Sequence, residues 1–188
     1  STILLILLST AFSLNAQTIM TVNPDTGYKG YTVRMNITGN GTDFIQGTLT
    51  SVNVYFRQGT QIYMGTNTVA SSDTELMTSF HLDSYVNYGL YDVITNVYRQ
   101  GSITKSAGFE VLEPSISSYS PDTIYVGRSN SLTILGRGTR FSQGSNTAAQ
   151  AYIRNGSVQI GAQQDLASSN TELTSTFLLQ ATATLGLW

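Results

Sequence analysis

Pro24-Asp25-Thr26-Gly27-Tyr28-Lys29-Gly30 returns 97 residues later as Pro121-Asp122-Thr123-Ile124-Tyr125-Val126-Gly127, and the surrounding sequence stays in step without a gap. Laid over one another, residues 18–91 and 115–188 share 27 identities in 74 positions. A second string, Ala70-Ser71-Ser72-Asp73-Thr74-Glu75-Leu76, recurs as Ala167-Ser168-Ser169-Asn170-Thr171-Glu172-Leu173. The chain is a tandem repeat, and the repeat period governs the reading of everything else. In 188 residues it divides the chain into two units rather than one large domain: residues 17–113 and residues 114–188. The second copy contains nothing corresponding to residues 92–112, so it is expected to be truncated by two strands.

Within each unit the apolar residues alternate, in short runs bounded by Gly, Asn, Asp and Ser, which is the pattern of half-buried strands. Strands are expected over 19–23, 32–38, 52–57, 62–69, 75–82, 89–98 and 105–112. Seven strands in about 100 residues is the count of an immunoglobulin-like sandwich. Because strand side chains point to opposite faces with period two, Val33, Met35 and Ile37 share a face, as do Val52, Val54 and Phe56, Leu76 and Phe80, and Tyr91, Val93 and Val97. These form the expected first core. The second draws on Asn130, Leu132, Ile134, Ala149, Ala151, Ile153, Leu173 and Phe177, with Trp188 in the place of Tyr91; its smaller side chains predict a thinner core. Asn155-Gly156, like Gln58-Gly59 before it, suits a tight hairpin turn, Arg99-Gln100-Gly101-Ser102 reads as the last hairpin, and Glu113-Pro114-Ser115 as a short linker.

The first residues differ from the rest. Ile3-Leu4-Leu5-Ile6-Leu7-Leu8, extended by Ala11 and Phe12 and closed by Ser13-Leu14-Asn15-Ala16-Gln17, reads as the apolar core and end of a secretory signal peptide over 1–16, cleaved before Gln17 and incomplete at its start. The run is shorter than the ~20 residues that span a bilayer, so no transmembrane segment is expected in the mature chain. The sequence has no Cys, hence no disulfide framework and no lipid-accepting thiol.

Ile19-x-x-Val22-x-Pro24, Gly30, Gly39-x-Gly41-Thr42-x-Phe44, Gly89-Leu90-Tyr91-Asp92-Val93, Gly101 and Phe109-Glu110-Val111, taken together, resemble the IPT/TIG family of immunoglobulin-like (E-set) domains. Phe44-x-Gln46-Gly47-Thr48 and its echo Phe141-x-Gln143-Gly144-Ser145 resemble the copies in secreted and surface proteins of Bacteroidetes-type bacteria. The resemblance implies an all-β chain of two tandem sandwiches, exported to the cell surface or beyond, with type IX secretion as the route. It also implies repeats that serve as spacers or adhesion modules, as accessory domains of a secreted carbohydrate-active enzyme, or as glycan-binding modules. The expected partners are other domains of the same polypeptide and extracellular polysaccharide or surface protein.

Composition narrows the chemistry. A net charge of −2 with nine scattered Lys and Arg gives no footprint for nucleic acid. The one His, His81, is flanked by Phe80 and Leu82 on an expected strand and reads as an outward surface residue; Asp83 is expected on its side, but no nucleophile motif accompanies the pair. One His and no Cys do not make a zinc site, and Asp73 with Glu75 supplies too few oxygens for calcium. No cofactor, metal or catalytic residue is expected, and the chain reads as a non-enzyme. Asp25 and Asp122 are expected to accept backbone N–H bonds in turns. Glu75 and Arg57, repeated as Glu172 and Arg154, are expected to pair across strands. Tyr28, Tyr31, Tyr85, Tyr88 and Tyr98, in expected loops or outward positions, are the candidate glycan contacts, since an aromatic face with a polar tip is what a sugar ring needs.

Overall fold

The computed structural model describes residues 16–188 apart from 48, 51, 184 and 188. The signal peptide expected at 1–16 lies outside the described residues except for its last position, as does the expected match of Trp188 to Tyr91. Among the described residues all regular structure is β-strand, and no helix is long and apolar enough to cross a membrane.

The first copy contains β1 (Thr18–Asn23), β2 (Thr26–Tyr28), β3 (Thr32–Asn40), β4 (Ile45–Gln46), β5 (Leu49–Thr50), β6 (Val52–Gln58), β7 (Gln61–Met64), β8 (Thr66–Ser72), β9 (Glu75–His81), β10 (Gly89–Val97) and β11 (Gly101–Leu112). They form a four-stranded sheet in the order β1-β3-β9-β8 and a five-stranded sheet in the order β2-β11-β10-β6-β7, with β4 and β5 as a small hairpin. This is an immunoglobulin-like sandwich. A parallel pairing sets Glu110, Val111 and Leu112 beside Thr26, Gly27 and Tyr28. The turn expected at Asp25 is therefore followed at once by a strand, which starts at Thr26.

Every first-core residue named from the alternation is buried, from Val33, Met35 and Ile37 to Tyr91, Val93 and Val97. The sheets meet through aromatic rings. Phe56 of β6 stacks on Phe80 of β9 at 3.7 Å and 9° between ring planes, and on Phe109 of β11 at 4.5 Å. Tyr91 closes the cluster at 6.0 Å from Phe56.

The strand expected over 62–69 is two strands in different sheets, because the chain changes sheet at Gly65. There the amide of Gly65 donates to the carbonyl of Val54 at 2.8 Å, and a Cβ would lie 2.5 Å from Thr78 Oγ1 and 3.0 Å from Phe80 Cζ. Strand-forming residues lie on both sides of Gly65, so composition alone hides the break.

The second copy contains β12 (Ser115–Ser120), β13 (Arg128–Arg137), β14 (Ser142–Gln143), β15 (Asn146–Thr147), β16 (Tyr152–Asn155), β17 (Val158–Gly161), β18 (Gln164–Ala167) and β19 (Glu172–Leu179). β12-β13-β19-β18 repeats the four-stranded sheet of the first copy, while β14-β15 and β16-β17 are separate hairpins. Its buried cluster is Leu132, Phe141, Ala151, Leu173, Phe177 and Leu179, with Ile134, Ala149 and Ile153 only partly covered, which is the thinner core expected. Asn130 is not part of it. Its amide side chain instead serves the backbone, accepting from Tyr125 N at 2.9 Å and donating to Tyr125 O at 2.8 Å.

The hairpin turn of the second copy is displaced by one residue from the expected Asn155-Gly156. Asn155 pairs with Val158, which leaves Gly156-Ser157 as the turn; likewise Gln58 pairs with Gln61 around Gly59-Thr60. Gly59 and Gly156 have φ of 58° and 59° while their successors do not have positive φ, so the glycine takes the first central position of a II′-type turn.

By internal contacts the described residues divide into two compact units. One holds the chain up to Asp25 with Arg34–Phe80 and Leu90–Phe109; the other holds Thr26–Val33, His81–Gly89 and Glu110–Trp188.

Candidate functional site

Residues kept in both copies are engaged in holding the fold. In the first, Thr42 Oγ1 and Phe44 N donate to the carbonyl of Asp73 at 2.7 and 3.0 Å, and Gly39 N to that of Thr74 at 2.8 Å. In the second, Thr139 Oγ1 and Phe141 N reach Asn170 O at 2.8 and 3.1 Å, and Gly136 N reaches Thr171 O at 2.9 Å. Gly39 and Gly136 admit the latch because a Cβ on either would fall within 2.5 Å of the threonine hydroxyl. The recurrence of Gly-x-Gly-Thr-x-Phe and of Ser-Ser-(Asp/Asn)-Thr-Glu thus has a backbone cause. Asp73 acts through its carbonyl, so Asn170 can replace it.

The charged pairs differ from expectation. Arg57 pairs not with Glu75 but with Asp92, Nη2 to Oδ2 at 3.0 Å, because Arg57 faces Asp92 in the β6–β10 register. Glu75 Oε1 accepts from Asn36 Nδ2 at 2.7 Å. In the second copy Arg154 Nε donates to Gly156 O at 2.8 Å. The hydrogen bond from Arg57, and then that from the Ala107 amide, hold the Asp92 carboxyl below its ordinary value. A depressed carboxyl contributes stability above its unfolded pKa of about 4 and loses it as pH falls through the folded value. Arg57→Ala is therefore expected to cost only about 0–1 kcal/mol at neutral pH, as a pair half open to solvent does, and less at pH ~2. Urea titrations of both proteins at the two pH values check this; a larger cost at the acidic pH would contradict the pairing.

His81 is exposed, with Nδ1 3.1 Å from Thr32 Oγ1. Asp83 does not share its strand: β9 ends at His81, and Asp83 Oδ1 caps a turn by accepting from Tyr85 N at 2.8 Å. Asp122 Oδ1 accepts from the hydroxyl of Thr123 at 3.2 Å. Among the described residues no three His, Asp or Glu side chains gather where they could hold a metal ion.

Four of the five candidate tyrosines fall on two loops of one compact unit, Thr26–Val33 and His81–Gly89; Tyr98 belongs to the other unit. The loops are knitted by backbone bonds, Gly30 N to Leu82 O and Leu82 N to Tyr31 O, the latter at 2.9 Å. Lys29 Nζ lies 4.2 Å from the centre of the Tyr88 ring and 3.4 Å from Ser84 O. Tyr85 is 80 % exposed and Tyr88 42 %. Tyr28 and Tyr31 are otherwise employed. The Tyr31 hydroxyl donates to Thr139 O at 2.6 Å, and the Tyr28 ring lies where a Cβ on Gly138 would be, 2.0 Å from its Cδ1. Tyr98 is exposed, with the Arg99 guanidinium 5.2 Å from its ring centre. On these two loops the accessible aromatic side chains are thus Tyr85 and Tyr88, with Lys29 over Tyr88, a set the sequence named in part; Lys29 was missed for want of any motif to mark it.

No family model matches the chain, and no curated protein matches it. Among solved structures it is similar to the full extracellular region of plexin A4, domains 1 to 10, at TM-score 0.40 and 18 % identity over 89 % of this chain and 13 % of that one. It is also similar to a mutant of Salmonella alpha-2-macroglobulin, at TM-score 0.36 and 13 % identity over 87 % of this chain and 12 % of that one. The chain spans about an eighth of the length of either.

Proposed function

We propose that this chain is a non-enzymatic part of an exported, multidomain surface or extracellular protein. In this reading residues 17–113 and 114–188 are IPT/TIG-like repeats that act as spacers or adhesion modules toward other domains of the same polypeptide, polysaccharide or surface protein. The observation that carries the reading is the duplicated latch. The hydroxyl, carbonyl and glycine positions shared by both copies are engaged in backbone bonds, and what two copies retain in common is the means of folding alike. The leader-like first residues favour export, and the resemblance of the motifs favours type IX secretion. The test is to assay the full chain against ester, peptide and polysaccharide substrates beside His81→Ala. Turnover that disappears in His81→Ala would refute the non-enzymatic reading; equal inactivity of both proteins supports it.

A second reading, glycan contact, is favoured by the exposed Tyr85 and by Tyr88 beneath the Lys29 ammonium, since a ring face flanked by a donor suits a sugar. Tyr85→Ala with Tyr88→Ala is then expected to weaken retention on immobilised polysaccharide roughly tenfold, equivalent to about 1.4 kcal/mol, without moving the thermal midpoint. An intact chain that binds nothing on a broad glycan array removes this reading. Attachment to a secreted carbohydrate-active enzyme is the remaining alternative, and the same array results bear on it, because an accessory domain that guides an enzyme to its substrate must itself bind glycan.

A further inference from the structure

Two cations reach the loops that carry Tyr85 and Tyr88, and they come from different copies of the repeat. Lys29 lies on the loop Thr26–Val33, its ammonium 4.2 Å from the centre of the Tyr88 ring and 3.4 Å from the carbonyl of Ser84. Arg140 comes from the second copy and belongs to the same compact unit as these loops. Its Nη1 donates to the carbonyl of Gly30 at 3.2 Å, and its guanidinium carbon stands 6.0 Å from the centre of the Tyr31 ring. The approach is close enough to need a glycine: a Cβ on Gly30 would lie 2.9 Å from Arg140 Cδ. The Tyr31 hydroxyl holds the neighbouring Thr139 carbonyl at 2.6 Å, which fixes Arg140 beside the residue that follows Lys29.

None of these groups is required by the fold the copies share. At the repeat offset Lys29 corresponds to Val126, Tyr85 to Thr182, Tyr88 to Leu185 and Arg140 to Asp43. The backbone bonds of Gly-x-Gly-Thr-x-Phe form in both copies whichever side chain follows the threonine. A side chain that differs between two copies of one fold is open to a separate use.

The charges favour an anion as that use. Besides tyrosine, the other titratable side chains on the two loops are Asp83, whose Oδ1 accepts from Tyr85 N at 2.8 Å, and His81, whose Nδ1 lies 3.1 Å from Thr32 Oγ1. Neither Lys29 nor Arg140 joins an ion pair among the described residues. Two such cations stand against one carboxylate, in a chain whose net charge is −2. Ammonium and guanidinium groups only donate, and they bond an ionised oxygen about twice as strongly as a neutral one.

We propose, building on the glycan-contact reading, that these loops bind an acidic glycan. Its sugar rings stack on Tyr85 and Tyr88, and its carboxylate or sulfate is held by Lys29 and Arg140. The site then draws its charge from both copies.

The test measures the full chain on two matched pairs, oligogalacturonate against its methyl ester and dextran sulfate against dextran, beside Lys29→Gln and Arg140→Gln. In at least one pair the acidic member is expected to bind about tenfold more tightly at low salt, an advantage that shrinks as the screening length falls toward ~3 Å at 1 M. Each variant is expected to lose about threefold on that acidic member, the size of a solvent-exposed charged contact, and to bind the neutral member as before. Equal binding of acidic and neutral members in both pairs, or an acidic preference that both variants keep in full, overturns this proposal and leaves the glycan-contact reading standing. An intact chain that binds neither these nor anything on a broad glycan array removes both. Inorganic polyphosphate bound as tightly as the acidic glycan, with no loss in Tyr85→Ala, also overturns it, by showing that charge alone is recognised.

Discussion

Phe56→Ala is expected to lower the stability of the first sandwich by about 3–5 kcal/mol, the range for truncating a fully buried aromatic side chain. Phe56 has no exposed surface and touches rings from three other strands: Phe80 of β9, Tyr91 of β10 and Phe109 of β11. Those rings are held by separate strands of two sheets, so they are not free to collapse into the space, and the residual cavity adds to the lost transfer energy. Against a typical domain stability of about 5–15 kcal/mol, the variant should unfold at much lower urea. Ile153→Ala, at the same position of the second copy, should cost no more than about 2 kcal/mol, since Ile153 is only partly buried. Equal costs at the two positions, measured by urea unfolding monitored through residue-specific amide signals, would show that the two cores are packed alike.

That asymmetry was partly legible in the sequence. Val54 and Phe56 correspond to Ala151 and Ile153 in the repeat, and the loss of volume is evident from the letters. Period-two alternation placed Val33, Met35, Ile37, Val52, Tyr91 and Val97 on the buried face because a strand has only two faces and one must exclude water. Alternation carries no information about which sheet a strand joins. The 62–69 run therefore concealed a change of sheet, and Arg57 was assigned to Glu75, the charge that recurs with it in the second copy, rather than to Asp92, its neighbour in register. Asn130 misled for a related reason: it sits in phase with Leu132 and Ile134, yet an amide can leave the core face to satisfy Tyr125, which a valine in the same phase cannot do. Among the tyrosines, the openness of Tyr85 and Tyr98 followed from the polar loops around them. The bond from Tyr31 to Thr139 spans 108 residues, a pairing that no local pattern encodes.

The change of sheet at Gly65 leads to the second large effect. Gly65→Ala places a methyl 2.5 Å from Thr78 Oγ1 and 3.2 Å from Val54 O, and Thr78 is fully buried with its hydroxyl 2.9 Å from Thr68 Oγ1. Threonine is stiff about χ1, so relief requires either breaking that hydroxyl contact or moving β9 away from β6; overpacking of this kind costs about 1–3 kcal/mol. The second copy shows how the conflict is avoided. There Ala162 occupies the place of Gly65 and makes the same bond, N to Ala151 O at 2.9 Å, but Ser175 stands for Thr78 and Ala151 for Val54. Serine lacks the branching methyl that stiffens threonine about χ1, and Ser175 keeps the equivalent contact, donating to Asp165 Oδ1, at the position of Thr68, at 2.6 Å. Thr78→Ser is therefore expected to recover at least about half of the loss caused by Gly65→Ala, a coupling of the size that contacting residues show. Thermal and urea unfolding of the two single variants and the double variant measure it. Additive losses would mean that the alanine meets the backbone of β6 rather than the threonine, and that copy two accommodates Ala162 through Ala151 alone.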